Sequence, residues 1–244
     1  MKAKKSKYIF IIATLTFALL LNEAVYYLGK IIPHGMTHHD MTLPMDLIIP
    51  VVPFTVVIYI VSFLVWLVFY TLILSWDGWE GNDLRSADTY GPKEFFGTHD
   101  NGRFLAADAL AKVICFVFFI VYPTHAIRPE IGDSTIWEQA LSFLYQIDTA
   151  EDLFPSIHCL VSWMCWIGLR KRHDVHPVIR HLPLVLAIVI CISTLTTKQH
   201  VILDVPGGIL LAELTWWLAG FEGVRKLYEK PMGKLLSALQ GHIK

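Results

Sequence analysis

Apolar residues fall along the chain in six long runs separated by polar connections, and most of the runs are as long as a membrane is thick. The first covers about 8–29, behind a basic tail of Lys2, Lys4, Lys5 and Lys7. As a helix it extends about 33 Å, enough to cross the hydrocarbon core of a bilayer. No small-residue cleavage site stands cleanly after it, so it reads as an uncleaved anchor. Asn22 and Glu23, near its far end, predict either a polar cavity or a position at the interface. The second run covers about 48–76, with Pro50 and Pro53 assigned to its first turns, where proline is tolerated. The third, about 104–127, stops at Arg128-Pro129, and Asp108 and Lys112 within it are spaced to pair. The fourth, about 156–169, is short and ends in Arg170-Lys171-Arg172. The fifth covers about 179–196. The sixth, about 198–221, contains Pro206-Gly207-Gly208, which predicts a bend or a close helix contact.

The connections carry weaker patterns. In 130–152, Trp137, Leu141, Leu144 and Tyr145 recur at helical spacing, predicting a short amphipathic helix on the membrane surface. Leu227, Leu235, Leu236 and Leu239 predict another interfacial helix over about 224–242. The stretch 77–103 is polar, glycine-rich and mixed in charge, and reads as a loop. His34, His38, His39 and Asp40 are metal-ligand types, but a surface loop supplies no fixed geometry for them, so no metal and no cofactor are expected. The prediction is an all-α polytopic membrane protein in which one domain, 1–244, contains six transmembrane helices.

Composition agrees: 55% of residues are hydrophobic and the mean hydropathy is +0.51, too apolar for a soluble core of this size. A net charge of −1 gives no basic field, so no nucleic acid partner is expected. The four cysteines lie in apolar stretches without metal spacing and read as small buried hydrophobes. Of the 20 Lys and Arg, 16 lie in the two tails, in the connections between runs two and three and runs four and five, or at the very start of run five. By the positive-inside rule both termini are cytoplasmic, which sends the opposite ends of the runs to the extracytoplasmic face.

Arg128, Ser156, His158, Lys198, His200 and Asp204 all fall at that face, although they come from three separate runs. His200 and Asp204 are four residues apart and share one face if the sixth run is helical from its start. An ionised side chain entering an apolar run needs a partner or a function. A neutral imidazole can attack phosphorus, a carboxylate on its other nitrogen fixes the tautomer, and a second histidine can protonate the leaving oxygen. His200, Asp204 and His158 fit these roles. Ser156, Lys198 and Arg128 are candidates for holding the phosphate. Glu213, deeper in the sixth run, reads as paired with a neighbouring helix.

These residues resemble the motifs of the type 2 phosphatidic acid phosphatase superfamily. Pro155-Ser156-Ile157-His158 matches its Pro-Ser-x-His motif, and His200 with Asp204 matches its His-x-x-x-Asp motif. Arg128-Pro129 matches the end of its first motif, but Val121 stands where that motif has lysine, and Thr194 stands where the third has arginine after Ser193. The resemblance implies a six-helix membrane enzyme, a lipid phosphate substrate, a phosphohistidine on His200 with His158 as acid, and no metal. It leans toward the inositol phosphorylceramide and sphingomyelin synthase-like branch. Hydrolysis of a phosphatidic-acid-like ester is the first expectation, and lipid headgroup transfer is its rival. A proton-coupled transporter ranks below both, because polar groups concentrate at one end of the runs. An inert membrane scaffold, which leaves the triad without a purpose, ranks last. Oligomeric state is not legible.

Overall fold

A computed structural model describes residues 2–33, 35–76 and 90–242, with the side chains of 2, 3 and 99 excepted. His34 and the 77–89 part of the predicted loop lie outside the described residues. The architecture is an all-α bundle with one two-residue parallel strand pair. The helices are α1 (Lys2–Ile31), α2 (Pro44–Ile48), α3 (Val56–Ser75), α4 (Pro92–Gly97), α5 (Asn101–Val121), α6 (Ile136–Ile147), α7 (Ile157–Leu169), α8 (Pro177–Thr196), α9 (Asp204–Leu218) and α10 (Glu222–Gly241). The strands β1 (His39–Asp40) and β2 (Thr124–His125) tie the α1–α2 connection to the chain leaving α5.

Among the described residues four helices, not six, are long and apolar enough to cross a membrane: Lys4–Ile31, Pro53–Ser75 with its leading 3-10 turn, Asn101–Val121 and Pro177–Thr196. The predicted fourth and sixth spans are shorter helices. With 13 and 15 residues, α7 and α9 extend only about 20 and 22 Å. The sixth run loses its beginning because 198–203 turns instead of coiling, so α9 opens only at Asp204. The second run is divided: Pro50 lies in extended chain after α2, and Pro53 opens the 3-10 turn ahead of α3. Part of the predicted 77–103 loop is helical, since α4 and a 3-10 turn precede α5, and Phe95 and Phe96 are buried.

The shortest apolar helix lies at the centre. Nine of the thirteen α7 residues are buried, as expected for a helix apolar on all sides, and α3, α5, α8 and α9 surround it. The close contact foreseen at Gly207-Gly208 is what brings α9 to it. A Cβ on Gly208 would lie 2.4 Å from the Ser156 carbonyl oxygen, and one on Gly207 2.5 Å from the Phe154 ring. The predicted helix within 130–152 forms as α6, with Thr135 and Glu138 making a reciprocal capping box. It packs on protein through Leu141 and Leu144, which meet Val56 and Tyr59. The C-terminal helix also forms, burying Tyr228, Met232 and Leu236 while leaving Leu227 and Leu235 exposed.

Charges inside the bundle are paired. Asp108 accepts from Lys112 at 2.8 Å and from Tyr70 at 2.7 Å, and Lys112 also donates to the Ala18 carbonyl. Glu213 is held bidentately by Arg170 and bonded by Trp163. All four cysteines are buried and free.

Gly208→Ala is expected to force α9 away from α7 and cost about 1–3 kcal/mol. It should appear as a lower unfolding temperature in detergent. Gly223→Ala, where a Cβ meets open space, is the matched control and should leave the transition in place.

Candidate functional site

The site is built where α8 ends and α9 begins. The Thr194 carbonyl accepts from the amides of both Gln199 and His200, at 3.0 and 3.1 Å, which folds the chain back across the end of α8. Lys198 makes this possible by adopting a left-handed backbone, φ 54°, which is uncommon outside glycine and stops a helix. The chain then turns into α9, and Asp204 accepts at one carboxylate oxygen from His200 Nδ1 (3.1 Å) and from the Val201 amide (3.0 Å). The expected His200–Asp204 pair therefore forms, but across a turn and not along a helical face. Asp204 is completely buried. Because its bond occupies Nδ1, Nε2 is the ring nitrogen available for chemistry.

His158 comes from the first turn of α7. Ser156 caps that helix, its hydroxyl oxygen accepting from the Cys159 amide at 3.2 Å. The Ser156 amide donates to the Asp204 carbonyl at 3.2 Å, joining the two motif segments directly. The imidazole of His158 stacks on Tyr59, with centroids 4.1 Å apart, and is flanked by Phe63 and Trp66. Its centroid lies 6.0 Å from that of His200, and its Nε2 is buried without a hydrogen bond. The two histidines thus meet at the wall of one cavity of about 450 Å³, bordered mainly by α1, α3 and α6. Asn22 and Glu23 line it, so their polarity belongs to a cavity.

The three residues expected to hold phosphate sit differently. Arg128 donates to the carbonyls of Lys198 (Nε, 3.2 Å) and Asp148 and to the side chain of Gln199, and lies 4.7 Å over the Tyr145 ring. Lys198 Nζ donates to the carbonyls of Asp46 and Ile49, at 2.6 and 2.7 Å. Asp46 in turn accepts from the Ile202 amide at 2.7 Å. Ser156 is fully buried as a cap. None of the three lines the cavity. In this conformation they brace the 197–204 turn from two sides, and Tyr145 adds a bond to the Thr197 carbonyl at 2.8 Å. Thr194, in the place of the missing arginine, is buried and bonds the Cys191 carbonyl.

A second cluster escaped the sequence. Asp148, just past α6, accepts from Tyr26, from Lys30 at 2.9 Å and from Tyr59 at 3.1 Å. Burial pushes its pKa up, but the Lys30 charge and the Tyr26 hydrogen bond outweigh burial and hold the carboxyl below the usual range. Through Tyr59 this cluster positions His158. Tyr26 and Lys30 are four apart on α1, a spacing that was visible; nothing in the sequence linked them to Asp148.

Among the described residues four carboxylates, Glu23, Asp148, Glu151 and Asp152, line the cavity, and no Lys or Arg does. Among the described residues no group of three or more His, Cys, Asp or Glu is disposed to hold a metal ion.

Arg128→Lys should leave at least two of three acceptors unpaired and cost about 1–3 kcal/mol. Faster hydrogen exchange at residues 197–200, with little change in α7, is the expected signature. No protein-family model, curated protein or solved structure matches this chain.

Proposed function

We propose that the chain is a membrane enzyme that cleaves lipid phosphate esters through a phosphohistidine on His200, as its resemblance to the type 2 phosphatidic acid phosphatases implies. The observation that carries this reading is the His200 Nδ1 to Asp204 bond, at 3.1 Å, beside His158 on one cavity wall. With Nδ1 engaged, Nε2 of His200 attacks phosphorus and an N–P bond forms. The P–O bond to the lipid breaks, and His158, entering the step as imidazolium although burial and the neighbouring His200 disfavour that form, gives a proton to the departing oxygen and becomes neutral. Water then attacks the phosphohistidine, returns a proton to His158 and releases phosphate. Asp204 supports the positive charge that develops on the imidazole. In this reading the site is extracytoplasmic and both termini are cytoplasmic, which the distribution of Lys and Arg supports through the positive-inside rule.

One observation favours the second reading, headgroup transfer. A phosphate monoester carries up to two negative charges, and among the described residues the cavity offers it four carboxylates and no Lys or Arg, its basic lining groups being the two histidines. A phosphodiester carries one charge, and the same N–P step followed by attack of a lipid hydroxyl would move its headgroup to a new lipid.

His200→Ala should abolish covalent phosphoenzyme and turnover, and Asp204→Asn should lower turnover about 10²- to 10⁴-fold. The assay is purified protein with lipid phosphates and EDTA, following released phosphate and transferred headgroup separately. Turnover in His200→Ala would remove the nucleophile. Complete loss in EDTA would remove the metal-free mechanism, and headgroup transfer without phosphate release would establish the second reading.

A further inference from the structure

The charge on the cavity wall calls for a complement. Of its four carboxylates, Asp148 is neutralised by Lys30 at 2.9 Å, whereas Glu23, Glu151 and Asp152 have no salt-bridge partner among the described residues. Asp152 is the most constrained of them. It is 8% exposed, its backbone is left-handed at φ 55°, and neither carboxylate oxygen has a hydrogen-bond partner. Its backbone is fixed, the amide donating to the Thr124 carbonyl at 2.7 Å while the next two amides donate to the Thr124 hydroxyl. Burial pushes its carboxyl up to about 6. A buried carboxylate that accepts nothing from its own protein is costly unless a ligand supplies donors. The aromatic rings of Tyr26, Tyr27, Tyr59, Phe63 and Trp66 line the same cavity, and such faces attract cations.

We propose that Asp152, with Glu23 and Glu151, forms a subsite for a primary ammonium group on the substrate's headgroup, so that the substrate is an amine-bearing zwitterionic phospholipid. A primary ammonium offers three N–H donors to this set of carboxylates, where both Asp152 oxygens have none, whereas a trimethylammonium offers charge without donors. A headgroup without a cation leaves the carboxylates uncompensated. The subsite rests on the proposed reaction only in placing the attached phosphate near His200. The ammonium itself is recognised whether or not chemistry follows.

The test is therefore binding, measured by titration calorimetry on the full chain in detergent with short-chain phosphatidylethanolamine, its N-trimethylated counterpart and phosphatidic acid. Wild-type protein should bind the primary amine about tenfold more tightly than either competitor, the scale of one charged hydrogen bond. Asp152→Asn should remove that preference while changing affinity for the other two less than about twofold, and His200→Ala should keep it. Equal affinity for primary and quaternary amines in wild-type protein would overturn the hydrogen-bonded subsite. Tighter binding of phosphatidic acid would overturn the cation altogether, as would an unchanged preference in folded Asp152→Asn. Amine preference without phosphoenzyme would instead sink the proposed reaction and leave the subsite standing. Because the wild-type comparison is complete by itself, an Asp152 variant that failed to fold would not protect the proposal.

Discussion

A carboxylate with no solvent exposure, placed at the start of an apolar helix, governs the arrangement around it. Asp204 finds donors for one carboxylate oxygen in the turn that immediately precedes it, the Val201 amide and His200 Nδ1, while its other oxygen accepts none. That requirement makes α9 start late and makes 198–203 a turn. The turn in turn needs a left-handed residue at Lys198 and carbonyl acceptors on α8, which Thr194 supplies. The pair therefore acts as a fold determinant as well as a candidate for chemistry.

Around the turn, positive charge serves as mortar. Arg128 bonds backbone at Lys198 and Asp148, and Lys198 bonds backbone at Asp46 and Ile49. Both cations satisfy carbonyls that loops would otherwise leave unpaired at the end of a bundle. The division of labour leaves aromatic rings and acids to line the cavity, with the histidines between them.

The sequence disclosed this arrangement unevenly. Helical periodicity and run length located α8 and α10 within two residues and found α1, α3 and α5 with one end of each displaced by six to eight residues, most at α3, where Pro50 and Pro53 interrupt the run before Val56. The amphipathic spacing of Trp137, Leu141 and Leu144 found α6 but not its seat, since a buried face looks the same whether it meets lipid or Val56 and Tyr59. Two spans were overcounted because hydropathy measures burial from water, and α7 is buried from water by other helices. The proximity of His158, His200 and Asp204 was legible from four-residue spacing and a Pro-Ser-x-His match, both local. The Asp148 cluster was not, since Tyr26, Tyr59 and Asp148 are separated by up to 122 positions, and only the folded bundle makes them neighbours. Arg128 and Lys198 were seen as charges, but charge alone does not say whether a cation faces a ligand or a carbonyl.

The length of α9 carries a consequence for a surrounding bilayer. Unlike α7, it has an apolar face outside the bundle, at Leu210, Leu214 and Trp217, and its 15 residues extend about 22 Å, where a hydrocarbon core is about 30 Å thick. In a bilayer such a mismatch is met by thinning of the adjacent lipid. That would bring headgroups closer to the level at which α9 begins, beside Asp204 and the two histidines.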